Sequence, residues 1–229
     1  MQAFSEADTR IRFVQHNIPF NFSAICNFGV KQAKGDYVLL LNNDIEILTV
    51  DWLELLLEHA QRPEIGAVGG KLLYPDGRIQ HAGIVVGMVG AAGHPHKFFP
   101  YDHIGYHGRL HMVHNVSAVT GALLMVSKDK FEQVNGLDEE KLAIAYNDVD
   151  FCLKLHEQGY YNVFTPYVEA THHESISRGY EDTDEKMQRL LSEQASFLER
   201  WKDLLDKGDP YYNPNLSLKN EYFSLNFKD

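Results

Sequence analysis

Tyr37-Val38-Leu39-Leu40-Leu41-Asn42-Asn43-Asp44 decides the fold. Its unbroken apolar half has no polar alternation, which describes a strand buried on both faces, as in a sheet covered by helices. The run then stops on two amides and a carboxylate. In open α/β sheets, ligands bind beyond the carboxyl ends of the strands. Asn42, Asn43 and Asp44 therefore stand where a ligand would sit. A carboxylate there suits a divalent cation, and the cation in turn suits a phosphate.

Upstream, residues 23–34 read as a helix with Ser23 as its N-cap, ended by Gly35-Asp36. Helix followed by strand supplies half of a βαβ unit. Before it, residues 10–14 (RIRFV) fit a short strand and residues 17–21 a turn-rich link. Downstream, Asp51 caps a helix over residues 52–61 that Pro63 ends. Trp52, Leu53, Leu56, Leu57 and Ala60 fall at helical spacing and form a core stripe. Residues 65–73 read as a strand, and Tyr74-Pro75-Asp76-Gly77 as a turn in which Pro presets φ and Gly accepts a positive one. Residues 78–86 return as the second strand of a hairpin.

Residues 87–108 are rich in Gly, Pro, His and aromatics and follow neither period, as functional or mobile loops do. His94, His96, His103, His107, His111 and His114 lie in or just after this loop, in spacings that match no zinc pattern. They are expected to be partly exposed loop histidines. Residues 116–126 read as a strand interrupted at Thr120-Gly121-Ala122; a glycine inside a strand marks a bulge or a close approach. A short helix over 128–134 closes on Asn135-Gly136. Asn147 caps a helix to residue 158, stopped by Gly159. Asp148 and Asp150 sit in its first turn, where acids complement the helix dipole; a chemical role for them stands beside that reading. Residues 161–165 and 168–172 read as strands. His172 and His173, adjacent on a strand, point to opposite faces, so at most one joins a given metal site. Residues 183–205 form a long helix with an apolar stripe, and residues 206–229 an irregular, aromatic strap.

The chain has 229 residues, 44% apolar and 23% charged, an ordinary soluble composition, and no internal repeat or linker, so a single domain over 1–229 is expected. A net charge of -11 argues against nucleic acid as a partner, since phosphate backbones are held by surplus Lys and Arg. Cys26 and Cys152 lie far apart and in no metal spacing, which fits a reducing compartment rather than a disulfide framework. With no long apolar run and no signal-peptide core at the start, the expectation is a cytoplasmic protein, peripheral at most to the inner face of a membrane.

Taken together, several motifs resemble family 2 glycosyltransferases of the GT-A fold, an α/β mixed sheet flanked by helices. They are the opening stretch, Lys71-Leu72-Leu73-Tyr74-Pro75-Asp76-Gly77, Gln80-His81-Ala82-Gly83, Ala118-Val119-Thr120-Gly121-Ala122, Asn147-Asp148-Val149-Asp150-Phe151-Cys152 and His172-His173-Glu174-Ser175-Ile176-Ser177-Arg178-Gly179. The likeness is to the branch that builds bacterial surface polysaccharides, rhamnosyltransferases among them, and runs from about residue 10 to 223. Each motif is weak alone; their order and spacing are specific.

The resemblance implies transfer of a sugar, with inversion, from a nucleoside-diphosphate sugar donor to a hydroxyl of a glycan or lipid-linked glycan acceptor. It implies a Mg²⁺ or Mn²⁺ held by Asp44 and His172, with Asn42 replacing the first acid of the family's Asp-x-Asp motif and, with Asn43, serving the donor. Asp148 matches the catalytic base and Asp150 a supporting or acceptor-binding group, with an exchange of the two roles left open. Gly121 lets donor or acceptor approach the strand. Arg178 stands either on the diphosphate or on the surface. The family's first strands, which grip the nucleoside, should precede residue 10, so an N-terminally truncated domain is expected, with an exposed sheet edge that invites self-association. A non-catalytic relative that binds glycan or a partner protein is the rival reading. A metal-dependent hydrolase using the histidine-rich loop is the remaining one.

Overall fold

The computed structural model describes residues 6–173 and 183–227. Along the chain come α1 (Phe22–Gln32), β1 (Tyr37–Leu41), β2 (Ile45–Ile47), α2 (Trp52–Ala60), β3 (Ile65–Leu73), β4 (Ile79–His81), β5 (Val85–Val86) and β6 (Ala92–Gly93). Then follow β7 (His114–Val116), β8 (Leu123–Ser127), α3 (Lys128–Gln133), α4 (Asn147–Glu157), β9 (Tyr161–His172), α5 (Asp184–Arg200) and α6 (Lys202–Lys207). The main sheet has the order β1-β8-β3-β9-β2, with β4 added on β3 and β7 on β9, while β5 and β6 form a separate ribbon. Among the described residues only β3 and β9 run parallel; the other pairs are antiparallel, so this is a mixed sheet.

β3 is buried along its whole length because both of its faces are covered. Alternate residues serve opposite sides, as the strand period requires. Val68 and Leu72 join Leu56 and Ala60 of α2 in one apolar cluster. Ala67 and Leu73 join Phe151, Cys152 and Leu155 of α4 in the other. The strand buried on both faces is thus β3; β1, expected to be one from its unbroken apolar run, alternates between buried and exposed positions, with Tyr37 and Leu41 open, and pairs antiparallel with β8. β1 has β8 as its only strand neighbour among the described residues.

Several local expectations are corrected. Residues 10–14 form no strand, and Ile11, Phe13 and Val14 lie exposed. α1 is capped by Asn21, whose side chain accepts from the Ala24 amide. Ser23 is instead fully buried and donates its hydroxyl to the Leu142 carbonyl at 2.5 Å. Asp51 makes no side-chain cap bond to α2. Residues 78–86 are broken at Gly83, whose φ of +89° lies outside the β region. The N-cap of α4 is Tyr146, in the left-handed region, while the Asn147 amide turns back to the Ile144 carbonyl. The two strands expected over 161–172 are one, β9, with Pro166 set in a bulge where the register jumps from Gly70↔Thr165 to Lys71↔Glu169. A residue without an N–H is tolerated there because the ladder is already interrupted. The long C-terminal helix is split at Trp201. Both cysteines are free thiols, and burial pushes Cys26 up to about 12. No helix among the described residues is long and apolar enough to cross a membrane.

Candidate active site

The end of β1 meets the end of β9. The Asn42 amide is tied to the Ala122 carbonyl, and the Asp44 carbonyl accepts from the His173 amide at 2.9 Å. Between them, Ile45 pairs in register with His172. These backbone bonds bring Asp44 Oδ1 to 3.2 Å from His172 Nε2. Both side chains are mostly enclosed, at 11% and 13% exposure, which limits what water can do for either.

Gln80 selects the tautomer of that histidine. Its Oε1 lies 2.8 Å from His172 Nδ1. A carbonyl oxygen only accepts, so Nδ1 carries the proton and Nε2 of the neutral ring is bare. Asn42 Nδ2, at 3.4 Å, is on the donor side of a long contact to the same nitrogen. Asp44 Oδ1 is buried with no hydrogen-bond donor. Two electron-pair donors therefore face each other with no proton between them, an arrangement a divalent cation would resolve. Asp44 and His172 fit such an ion; among the described residues no third His, Cys, Asp or Glu completes the set. Remaining coordination positions would fall to water and ligand oxygens, as is usual for Mg²⁺. His173 points the other way, with Nε2 3.1 Å from Glu46. Asn43 is exposed beside this corner. Arg178 lies outside the described residues.

Asp148 occupies the first turn of α4. Its carboxylate accepts from the Gly121 amide at 2.9 Å, from the Val149 amide at 2.8 Å and from the Thr120 hydroxyl. Burial still outweighs these bonds and raises its pKa above the ordinary carboxylate value. It lines a pocket of about 150 Å³ together with His94, Tyr146, Ile84, Ala92, Ala145 and Val149. A Cβ on Gly121 would lie 3.4 Å from Asp148 Cβ, so what approaches this glycine closely is the carboxylate-bearing residue itself.

Asp150 has a different setting. It is fully buried, and its Oδ1 accepts from Arg200 Nη1 at 2.8 Å and Trp201 Nε1 at 3.0 Å, while Lys154 lies 3.2 Å from Oδ2. The carboxylate is thus occupied in joining α4 to the break between α5 and α6, and it offers no exposed face to an acceptor.

The sequence reading gave no role to Gln80, His81 or His94, although Gln80-His81 was quoted as a motif. His81 is buried and its Nδ1 lies 2.9 Å from His94 Nδ1. Of the six loop histidines, His96 departs from the expectation of partial exposure: it is buried and accepts from the Tyr106 amide at 2.9 Å, whereas His94 and His114 are half-buried and His103, His107 and His111 exposed. Burial holds His94 down at about 4 and His96 at about 3. Spacing alone held no signal that separates these rings from the exposed His111.

The architecture is that of the GT-A glycosyltransferases. The structure of GalNAc-T7 with UDP, GalNAc and Mn²⁺ superposes with a TM-score of 0.68 at 12% identity, over 90% of this chain and 39% of that one. The mannosyltransferase PcManGT from Pyrobaculum calidifontis, in complex with GDP-Man and Mn²⁺, gives 0.58 at 16% identity, over 90% and 54%. Residues 1–133 match the model of glycosyl transferase family 2, and the chain belongs to that family. It is 48% identical over 219 residues to the uncharacterized protein y4gI of Sinorhizobium fredii, covering 96% of this chain. It is 42% identical over 212 residues to the O-antigen biosynthesis protein RfbC of Myxococcus xanthus, covering 92% of it. The chain spans 24% and 16% of the lengths of these two relatives. A further relative, the N-acetylglucosaminyl-diphospho-decaprenol L-rhamnosyltransferase of Mycobacterium tuberculosis, is 29% identical over 63% of this chain and 49% of its own.

Proposed function

We propose that this chain carries the catalytic corner of an inverting, metal-dependent glycosyltransferase of cell-surface polysaccharide synthesis. Its donor would be a nucleoside-diphosphate sugar and its acceptor a hydroxyl of a glycan or lipid-linked glycan. The observation that carries the reading is the meeting of Asp44 Oδ1 and the bare Nε2 of His172 at 3.2 Å, with the Asp148 pocket on the same sheet end. Membership of glycosyl transferase family 2 and the likeness to an O-antigen biosynthesis protein and an L-rhamnosyltransferase support it.

In this mechanism Asp44 and His172 would hold Mg²⁺ or Mn²⁺, which would supply Lewis-acid neutralisation of the charge that grows on the leaving diphosphate. Asn42 and Asn43 orient the donor from the same strand end. Asp148 takes the proton of the acceptor hydroxyl as that oxygen attacks the anomeric carbon from the face opposite the diphosphate, so the configuration inverts. A carboxylate with a raised pKa is a better base than a solvated one, and the Gly121 and Val149 amides keep it aimed. Calorimetry with a sugar nucleotide and Mn²⁺ tests the reading. Binding that needs Mn²⁺ and disappears in Asp44→Ala supports it; absence of nucleotide binding at any Mn²⁺ concentration rejects it.

A further inference from the structure

A chain of hydrogen bonds fixes which nitrogen of His94 carries a proton. It begins at His81 Nε2, which faces the amide of Gly83 at 3.3 Å and that of Thr120 at 3.5 Å. Both amides only donate, so this nitrogen is bare. A neutral imidazole has one N–H, and in His81 it must then be on Nδ1. That N–H points at His94 Nδ1, 2.9 Å away, which must accept and is therefore also bare. The remaining proton of His94 lies on Nε2. No other assignment satisfies all the contacts, because a proton on His94 Nδ1 would require His81 to accept at Nδ1 and to turn an N–H against two amides.

His94 is also a wall of the pocket that contains Asp148. The turn at Thr120 and Gly121 serves both groups, with the Thr120 amide on His81 and the Gly121 amide on Asp148. One turn therefore braces both Asp148 and, through His81, the ring of His94, and both residues line one small cavity. A hydroxyl is the ligand group that answers both, since its oxygen accepts while its hydrogen is donated. Burial keeps His94 neutral to about pH 4, so the arrangement holds under ordinary conditions.

We propose that His94 presents a fixed Nε2–H to this pocket and binds the oxygen of a sugar hydroxyl whose own hydrogen is directed to Asp148. The inference rests on the glycosyl-transfer reading for the identity of the ligand as a sugar, and not for the tautomer. His94 is then a binding residue for the attacking oxygen, which orients one hydroxyl of a pyranoside and selects against ligands that place an acceptor-less group there. His81 is a positioning residue, acting only through the ring it holds.

Imidazole ¹⁵N NMR of the full chain, with resonances assigned through His81→Phe and His94→Phe, reads the tautomers without any ligand. The expected result is Nδ1–H for His81 and Nε2–H for His94, with a tautomer mixture at His94 in His81→Phe. Titration of the native chain with the methyl pyranosides of glucose, mannose, galactose and rhamnose should move the His94 Nε2 resonance for at least one of them. His94→Phe should weaken that pyranoside about tenfold and leave Mn²⁺ binding as it was. An Nδ1–H tautomer at His94 overturns the proposal, as does pyranoside binding that leaves Nε2 unmoved, or no pyranoside binding by the native chain. The failure of the wider reading is separate: it appears as a loss of Mn²⁺-dependent nucleotide binding, which none of these measurements uses.

Discussion

Gln80 Oε1 stands 2.8 Å from His172 Nδ1, across 92 positions of the chain, and leaves Nε2 of that ring without a proton beside Asp44. A partner of this kind orients a metal ligand and raises its basicity. Gln80→Ala should lower Mn²⁺ affinity about tenfold, measured by calorimetry. Gln80→Glu keeps an acceptor at Nδ1 and should restore most of the affinity. Equal losses in both variants would mean that Gln80 only fills space.

Asp150 is expected to matter for stability more than for ligand binding. Removing its carboxylate leaves Arg200 and Lys154 facing a void around a buried site. Asp150→Ala should cost about 3 kcal/mol in urea unfolding. Its nucleotide affinity, measured where the variant is still folded, should match that of the native chain. A variant of unchanged stability would contradict the role assigned to this carboxylate.

Transfer should depend on pH through Asp148. Its folded pKa is raised above 3.8 by burial, so the carboxylate needed as base appears only above that higher value. The acid limb of the rate profile should therefore lie above 3.8, and Asp148→Asn should abolish transfer while sparing nucleotide binding. The unfolded carboxyl ionises first as pH rises, so between the two pKa values this group weakens the fold as pH increases. Asp148→Asn should remove that slope; a slope that persists would place its origin elsewhere.

Acidification should destabilise the protein from the histidine side. Burial lowers His94 and His114 to about 4 and His96 to about 3, against an ordinary 6.5. Below pH 6.5 the unfolded chain takes up these protons and the folded chain does not, so stability falls as pH drops toward 4. Thermal melts across that window should show a decline that is shallower in His94→Phe. A flat profile would show that these rings protonate in place.

Much of the sheet was legible because β1 and the first four residues of β8 are contiguous apolar runs and β3 is apolar or glycine at every position but Lys71. The caps were less legible. Ser23 has the chemistry of an N-cap, but a buried carbonyl, that of Leu142, competes for its hydroxyl and Asn21 caps instead. The break at Gly83 and the bulge at Pro166 depend on neighbours far along the chain. Asp44, Asp148 and His172 could be named from motifs. The links that tune them could not, because Gln80 to His172 and His81 to His94 are tertiary contacts with no local pattern. The setting of Asp150 was hidden for a related reason: its place in the first turn beside Asp148 says nothing of Arg200 and Trp201, which arrive from the end of α5 and the break after it.

The pairing of Ile45 with His172 has a consequence for how this site is encoded. The chain offers two identical imidazoles side by side, and chemistry cannot tell them apart. The β2–β9 ladder makes the choice, because a slip of a single residue would exchange the faces of a strand. His173 would then turn toward Asp44, and His172 toward the outside, where Glu46 now holds its neighbour. The selection of a ligand here is thus an act of alignment, vested in the backbone of a three-residue strand.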